Sequence, residues 1–351
     1  MGERTPARSR SGFRRRRRLR RDRRGVVAVV GTLLALLVFF ALFGIFLTQY
    51  VPLWMEENEN QLSNQMQVSL STLKSGIDDQ YIFGDIPTYS VPFTVSSQSV
   101  PLLAQPTEAT LSYLTGCPAG FSSTGVPKNI TACDFERVVY TTAAGATGSQ
   151  DHTYNQTMPT NYLEVALPNR YFTPVTYFFE NDGLAGTQSQ GREWMVVPPP
   201  LNVTRTTGNL SVQSSLLDLL GNESSFTGQG TKDLSSHLSS HANVSSVGRF
   251  LTAGGAARTF NVTEVYGVHA LCAWYNFLYN ETDRAFGSTT GWSLTWTGSG
   301  VTVSQGKTYP TLTYCELSVS ESFDLTLTIS NVNYATAFVA QSQLNFNAGG
   351  L

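Results

Sequence analysis

The sequence predicts an α+β protein in which a long N-terminal transmembrane and amphipathic helix precedes a mainly antiparallel, β-sandwich-like head. Three observations predict it: an uncharged apolar run, a helical stripe of apolar residues directly after it, and alternating apolar and polar residues further along. They divide the 351 residues into four parts. These are a basic tail or leader at 1–24, a transmembrane helix at 25–49, an amphipathic stalk helix at 50–82 and a β-rich extracellular head at 83–351.

The apolar run from Val26 to Leu47 has 22 residues and no charge. At about 1.5 Å of rise per residue, a helix of this length spans the ~30 Å hydrocarbon core of a bilayer. Residues 1–24 carry twelve arginines against two acidic residues, a net charge of +10, whereas the rest of the chain carries a net charge of −12. Because positive flanks stay in the cytoplasm, we expect a single-pass cell-membrane protein with a cytoplasmic N-terminus and an extracellular head.

Clustered arginine also binds nucleic acid or anionic lipid, so the basic tail allows other interpretations. Beside a membrane helix, a role in topology and lipid contact is the simplest interpretation. The predicted partner is therefore the lipid bilayer, and no nucleic acid is expected. Like subunits in a filament, or other surface proteins, are further candidate partners.

The apolar run differs from a secretory signal, because no small-x-small cleavage pattern follows Leu47. A cut would instead have to lie at the junction of Arg24, Gly25 and Val26. Cleavage after Gly25 would remove the arginines and keep the hydrophobic helix, which is the logic of a pilin-type signal. An uncut chain would be a signal-anchored membrane protein, and the sequence leaves both alternatives open.

The stalk is predicted from a helical stripe that begins after Pro52. Because proline lacks an N–H group and its ring clashes with the preceding turn, Pro52 should kink or locally break the helix without ending it. Beyond it, apolar residues recur at intervals of three, four or seven, which places them on one helix face. They are Met55, Leu62, Met66, Leu70 (or Val68), Leu73 and Ile77.

In the head the periodicity changes to two, which indicates half-buried strands. Phe323, Leu325, Leu327 and Ile329 alternate with polar residues, and similar alternation occurs near residues 201–220 and 292–303. One head helix is predicted over Ala270–Phe286. The Ser-, Gly- and His-rich stretch 221–257 is predicted to be a long loop or a boundary between two β units.

Two features fit an extracellular head. The four cysteines show no CxxC spacing, and in an extracellular head they predict two disulfides. Pairing within local segments favours Cys117–Cys133 and Cys272–Cys315. Other pairings, or reduced buried thiols, remain alternatives. Asn-x-Ser/Thr sequons predict N-glycosylation. They lie at Asn129, Asn155, Asn202, Asn209, Asn222, Asn243, Asn261 and Asn280.

No catalytic or nucleotide-binding motif is present in the sequence, so we expect no enzyme activity and no cofactor. Asp233, His237 and His241 recur every four residues and would share a helix face that could hold a metal. Their Ser-rich context favours a solvated polar loop, so no metal is predicted. His152 and His269 are isolated, and the second is expected to be a partly buried head residue.

Three functions are weighed. The leading prediction is a structural, adhesion or surface-assembly protein. An anchored ligand-binding module would need a groove, which could use Trp274, Trp292 and Trp296, although a place in the sandwich core is the more common role for such residues. An anchored hydrolase would need clustered carboxylates with raised pKa values in a cleft.

The order of several segments resembles that of membrane-anchored, pilin-like surface proteins of archaea. The resemblance covers most of the chain from Gly25 onward. It implies an N-terminal helix similar to that of archaeal type IV pilins and archaellins, a β-rich exterior head and no assigned catalytic activity. The segment ENDGLAG departs from the pattern by replacing a more hydrophobic turn and strand. The segments that carry the resemblance are RRGVVAVVGTLL, VPLWMEENENQ, LKSGIDDQ, VPFTVSSQSVPLLAQPTEATLSY, NRYFTPVTYFFENDGLAGTQSQGREWMVVPPPLNV and GNLSVQSSLLDLLGNESSFTGQGT.

Overall fold

A computed structural model provides the architecture, and its contacts divide the chain into two units. The first unit contains Met1–Met55 and Val100–Gln105, and the second contains Glu56–Ser99 and Pro106–Leu351. The structure describes residues 13–83, 88–100, 103–115, 135–142, 154–189, 191–207, 209–245, 259–287, 290–298, 301–304 and 323–347.

The N-terminal part is helical throughout its described length. Helix α1 covers Phe13–Ile45, a π-helical turn covers Phe46–Tyr50, and helix α2 covers Val51–Phe83. The backbone N–H of Val51 bonds the carbonyl of Phe46, one residue further back than in an α-helix. A wider turn before Pro52 relieves the clash between its ring and the preceding carbonyl, so the helix continues beyond the proline as predicted.

One helix of the described chain, Val27–Gln80, is long and apolar enough to cross a membrane. Its most apolar stretch has a mean hydropathy of 2.7, and none of that stretch is buried. Exposed fractions of 71% at Val27 and 68% at Leu37 are typical of its side chains. The whole helix is about 80 Å long, which is far more than the ~30 Å hydrocarbon core of a bilayer. Only the apolar part, 26–47, matches that thickness.

Seventeen strands and one further helix occur in the described part of the head. Helix α3 covers Leu271–Phe286, one residue from the predicted start, and ends at Gly287, whose φ of 60° suits the left-handed cap. The strands are β1 (Tyr89–Thr94), β2 (Thr110–Leu114), β3 (Phe135–Thr142), β4 (Tyr154–Pro159), β5 (Tyr162–Leu167), β6 (Val175–Glu180), β7 (Gly183–Gln188), β8 (Glu193–Val197), β9 (Asn202–Thr206), β10 (Asn209–Leu220), β11 (Ser224–Phe226), β12 (Thr231–Ser245), β13 (Phe260–Val268), β14 (Trp292–Gly298), β15 (Val301–Ser304), β16 (Phe323–Val332) and β17 (Tyr334–Asn347).

The strands form three sheets. Their orders are β1-β12-β17-β10-β9, β11-β2-β5-β6-β7-β8 and β15-β14-β16-β13-β3-β4. All described pairs are antiparallel except β10 with β17, which are parallel over ten residue pairs. The coarse prediction of an apolar N-terminal helix followed by a strand-rich, sandwich-like head is therefore confirmed.

The prediction of a loop across 221–257 is wrong for its centre. Residues 231–245 form β12, which is paired with β1 on one side and with β17 on the other. Leu234 and Ser236 are buried, whereas His237 is exposed. Serine occupies inward positions where a strand normally carries apolar residues, so the period-2 signal was hidden in the sequence.

Two apolar clusters form the core of the head. The stripe of α2 lies in one cluster, where Leu62, Met66, Leu70, Leu73 and Ile77 are at most 2% exposed, as the helical spacing predicted. The alternating residues of β10, β13 and β16 lie in the other cluster, together with α3. Together the two clusters draw on all three sheets.

Candidate functional site

The hairpin turn between β6 and β7 is the centre of the candidate site. Its residues Glu180, Asn181 and Asp182 are between 0 and 2% exposed, although turns normally lie on the surface. Asn181 and Asp182 have φ values of 47° and 59°, the left-handed conformation that Asn and Asp tolerate and that two-residue hairpin turns require. The sequence Asn-Asp-Gly thus explains the turn, but not its burial.

Glu180 connects the turn to the start of α3. Its carboxylate accepts the backbone N–H of His269 at 3.0 Å and the indole N–H of Trp274 at 2.9 Å. The Nδ1 atom of His269 lies 2.7 Å from the same carboxylate. The His269 ring stacks on Phe178, with ring centres 5.2 Å apart, which confirms the prediction of a partly buried histidine.

Asn181 connects the turn to the third sheet. Its side-chain amide donates to the carbonyl of Gly267 at 2.6 Å, and its Oδ1 atom accepts the hydroxyl of Thr160 at 3.1 Å. Both donor and acceptor functions of the buried amide are therefore satisfied, which removes most of the cost of placing it in the core.

Asp182 connects the turn to α2 and to the first sheet. Its Oδ1 atom lies 3.3 Å from Nζ of Lys74, and its Oδ2 atom accepts the hydroxyl of Ser215 at 2.8 Å. Lys74 also contacts Oδ2 of Asp78, one helical turn further along, at 2.6 Å. The Lys74 and Asp182 side chains are 2% and 0% exposed, so this ion pair lies out of water, whereas the Asp78 side chain is 27% exposed.

The cluster perturbs the proton affinity of its members. Burial raises the pKa of Asp78, and the Asp182 carboxylate raises it further, against the opposing effect of Lys74, to about 7. Burial acts to lower the pKa of Lys74, but the carboxylates of Asp182 and Asp78 outweigh it and hold that pKa above its usual value. Asp78 is therefore the member of the cluster whose protonation changes near neutral pH.

Further carboxylates lie inside the head. Glu136 on β3 and Glu264 on β13 are 2% and 1% exposed, and burial is the main cause that raises the pKa of each. The hydroxyl of Tyr266 donates to Glu264 at 2.6 Å, and a backbone hydrogen bond from Leu217 partly offsets the effect of burial on the pKa of Glu136. No group of three or more His, Cys, Asp or Glu residues among the described ranges could hold a metal ion.

A separate groove lies on the surface, beside the C-terminal end of α3. Its volume is about 470 Å³, and most of the side chains around it are polar. The guanidinium of Arg205 lies 5.6 Å from the ring centre of Phe286, a cation–π distance. Hydrogen-bonding groups in the lining include Asn209, Asn331 and Asn333.

The structure does not bring the predicted metal-ligand candidates together. Asp233 and His237 lie on β12, where four residues of extended chain separate them by about 13 Å. The helix that would have placed Asp233, His237 and His241 on one face is absent, and the predicted polar loop is also wrong. His152 lies outside the described residues.

The tryptophans do not form the predicted groove. Trp274 is 0% exposed and Trp292 is 9% exposed, and both belong to the apolar cluster around α3. The side chain of Trp296 lies outside the described residues. Trp274 and Trp292 are therefore core residues, and neither lines the groove beside α3.

Of the four cysteines, only Cys272 lies in the described part of the chain. It is 2% exposed, in the first turn of α3, and its sulfur is bonded, not free. Neither predicted pair has both members in the described ranges, because Cys117, Cys133 and Cys315 lie outside them. The pairing therefore stays a prediction.

The sequon asparagines occupy different environments. Asn202, Asn209, Asn222 and Asn280 are exposed, and Asn261 is half-buried. The side chains of Asn129, Asn155 and Asn243 lie outside the described residues. The junction of Arg24, Gly25 and Val26 falls within α1, which begins at Phe13.

Sequence reasoning missed Lys74, Asp78 and Asp182 as a group. The turn signal Asn-Asp-Gly was present, as was an i, i+4 Lys–Asp pair on the predicted stalk helix. Nothing in the sequence indicated that the turn and this helix face meet, because they are 108 residues apart.

The fold and this site define a class: a β-rich head carried by a chain whose N-terminal helix is long and apolar enough to span a membrane. No family model, no curated protein and no solved structure matches this chain.

Proposed function

We propose that the chain is a single-pass cell-surface protein with a pilin-like N-terminal helix, acting in surface structure, adhesion or surface assembly. The head is extracellular and the arginine-rich tail is cytoplasmic. The resemblance to archaeal pilin-like surface proteins supports this proposal, and so does the charge difference between the two sides of the apolar run.

One observation carries the proposal: the N-terminal helix has two parts with opposite surroundings. Side chains of the apolar part are exposed, as at Leu37, with 68% of its surface accessible. From Glu56 onward the same helix carries a buried stripe in the head core, with Leu73 at 0% exposed. An apolar surface of this size must be covered by lipid or by other apolar helices.

The two coverings correspond to two states of the protein. With the arginine tail intact, the apolar part lies in the bilayer and the protein is a lone anchor. After cleavage behind Gly25, the helix loses its charged end and can pack with copies of itself in the core of a filament. Both states leave the head on the cell surface.

The N-terminus of the membrane-extracted protein decides between these states. We expect mass spectrometry of the N-terminal peptide to begin at Val26, and electron microscopy of the same preparation to show filaments. An intact arginine tail would overturn the cleaved, filament-forming version and leave the anchor. Protease digestion of intact cells should degrade the head; a head that is degraded only after the cells are lysed would contradict the surface location.

A pair of substitutions separates membrane insertion from head folding. Leu37→Lys places a charge near the centre of the apolar part, at a cost of roughly 2.5–3.5 kcal/mol for insertion. We expect a smaller fraction of protease-accessible head at the cell surface. The matched control is Gln65→Lys, on an exposed face of α2 in the head, which should leave that fraction unchanged.

A second candidate function is capture of a polar ligand by the surface groove. The observation that favours it is the cation–π pair of Arg205 and Phe286 beside several asparagine and threonine side chains. Such a lining offers hydrogen bonds and one flat apolar face. Arg205→Ala should reduce binding of polar ligands in a glycan array, while Arg192→Ala, outside the groove, should not.

A hydrolase finds less support. The carboxylates with raised pKa values, such as Glu136, Glu264 and Asp78, lie within the packed head. None of them lines the groove. The cleft that a motif-free hydrolase would need is therefore not formed by these carboxylates.

A further inference from the structure

We propose that Lys74 and Asp182 join covalently through an amide (isopeptide) bond between Nζ and the side-chain carboxyl carbon, with Asp78 as the group that transfers the protons. The bond would link α2 to the turn between β6 and β7. The proposal stands on the geometry of the head and does not depend on the proposed surface function.

The reacting groups are already in contact and out of water. Nζ of Lys74 lies 3.3 Å from Oδ1 of Asp182, and the two side chains are 2% and 0% exposed. Positioning of this kind replaces a bimolecular encounter by an intramolecular one, which raises the effective concentration by several orders of magnitude. Exclusion of water also favours condensation over hydrolysis.

The surroundings distinguish Asp182 from Asp78 as the acceptor. The hydroxyl of Ser215 donates to Oδ2 of Asp182 at 2.8 Å, where it would stabilise the negative charge of a tetrahedral intermediate. Asp78 contacts both reacting groups: its Oδ2 lies 2.6 Å from Nζ of Lys74, and its side chain hydrogen-bonds Asp182. Asp78 therefore holds the nitrogen with one oxygen and can carry a proton to Asp182.

The cluster already contains the protons that the reaction needs. Burial and the neighbouring Asp182 raise the pKa of Asp78 to about 7, so near neutral pH it carries a proton for much of the time. Lys74 and Asp182 then form a neutral pair of opposite charges. Transfer of one proton from Lys74 to Asp182 produces a neutral amine and a neutral acid, which are the reactive forms. The carboxylates of Asp182 and Asp78 oppose this transfer by holding the pKa of Lys74 above its usual value, so the transfer is part of the activation barrier.

The reaction is a condensation without any change of oxidation state. The lone pair of Nζ attacks the carboxyl carbon of Asp182, and Asp78, which starts protonated, takes one proton from the nitrogen at Oδ2 as it releases its own proton from Oδ1. Oδ1 of Asp182 takes up a proton and leaves as water while the C–N bond is retained. The products are one amide and one water, and Asp78 is regenerated.

The link would tie together parts of the chain that are 108 residues apart. A covalent bond at this place would resist separation of α2 from the β6–β7 turn, because a force on the helix would act on the bond instead of on a non-covalent contact. It would also restrict the unfolded chain, as a disulfide does.

Peptide mapping of the full-length protein tests the proposal. The purified protein is unfolded, digested with trypsin and analysed by tandem mass spectrometry. We expect a branched peptide that contains both Lys74 and Asp182 and is lighter than the two linear peptides together by the mass of one water. Recovery of both residues only in linear peptides would overturn the proposal, and so would a lactam between Lys74 and Asp78.

Variants assign the roles. Lys74→Arg keeps the positive charge but should yield only linear peptides, while the matched control Lys232→Arg should keep the branched peptide. Asp182→Asn should yield the same branched peptide, because the side-chain amide loses ammonia in place of water.

Asp78→Asn should lower the branched fraction at least tenfold at unchanged circular dichroism. A fully branched Asp78→Asn protein would contradict the proton transfer by Asp78. The peptide map of the wild-type protein tests whether the amide bond exists, even if a variant does not fold.

Discussion

The Glu59 carboxylate on α2 accepts the backbone N–H of Phe172 at 2.7 Å. The preceding amides of Tyr171 and Arg170 point to the same carboxylate, at 2.8 and 3.1 Å, and the hydroxyl of Thr107 donates to it as well. Three consecutive N–H groups of the loop between β5 and β6 thus surround one anion, which is 0% exposed. The contact joins α2 to that loop within the head.

Replacement of the charge at Glu59 should destabilise the head. Hydrogen bonds to a charged group contribute about 1.5–3 kcal/mol each. Glu59→Gln loses the charge and turns one acceptor into a donor that faces N–H groups, so we expect the free energy of unfolding to fall by about 3 kcal/mol. Urea denaturation measures this value. Glu56→Gln, on an exposed position of the same helix, is the control and should change it by less than about 0.5 kcal/mol.

Gly76 on α2 should resist substitution because of Tyr89 on β1. A Cβ atom at this position would lie 2.1 Å from the Tyr89 ring. Gly→Ala in a helix normally stabilises by about 0.5–1 kcal/mol, but overpacking costs about 1–3 kcal/mol. We therefore expect Gly76→Ala to lower the urea midpoint.

A double-variant cycle tests the cause of this effect. In a Tyr89→Ala background the ring is gone, and Gly76→Ala should become neutral or stabilising. An equal loss of stability in both backgrounds would mean that the Tyr89 contact is not the reason why glycine stands at this position.

Stability of the head should decrease between acidic and neutral pH. Burial raises the pKa of Asp218 to about 6 and that of Glu193 to about 7, against the opposing hydrogen bonds that each accepts. Because the folded state binds these protons more tightly than the unfolded state, their contribution is complete below about pH 4. It is lost as the pH rises through 6 and 7.

Thermal unfolding in detergent measures this dependence. We expect a midpoint that is lower at pH 8 than at pH 5 by at least about 5 °C. Glu193→Gln should reduce the difference, because the amide cannot titrate and can still accept the backbone N–H of Cys272, which Glu193 binds at 2.7 Å. A midpoint that rises from pH 5 to pH 8 would contradict the argument.

Glycan occupancy should follow exposure if the head is extracellular. Asn202, Asn209, Asn222 and Asn280 are exposed, and we expect glycans at these positions. Asn261 is half-buried on β13, which is paired on both sides, and should be unmodified in most molecules. Glycopeptide mass spectrometry of protein from its native host measures occupancy. Bare asparagines at all four exposed sites would contradict the glycoprotein prediction.

The sequence predicted those elements whose pattern reports burial directly. The stripe of α2 and the alternation in β16 place Leu73 and Leu327 in the core, and both are at most 1% exposed. Strong periodicity of apolar residues reflects a single buried face, which local sequence is sufficient to encode. The start of α3 was predicted to within one residue for the same reason.

Elements that bury polar side chains were not predicted. β12 buries Ser235 and Ser236, at 4% and 0% exposed, on its two opposite faces, so its composition resembled that of a loop. Glu180 and Asp182 lie in a turn, and turns are normally exposed. Their burial depends on partners such as Trp274 that come from distant parts of the chain, and no local pattern carries that information.

By itself, the sequence determined the apolar helix, its continuation past Pro52 and the strand-rich head, because each of these follows from the spacing of apolar residues. Only the tertiary structure decided that Glu59 is surrounded by loop amides and that Lys74 meets Asp182. Charged side chains can lie in a core only when their partners arrive from elsewhere. The fold supplies those partners, and the order of residues along the chain does not reveal them.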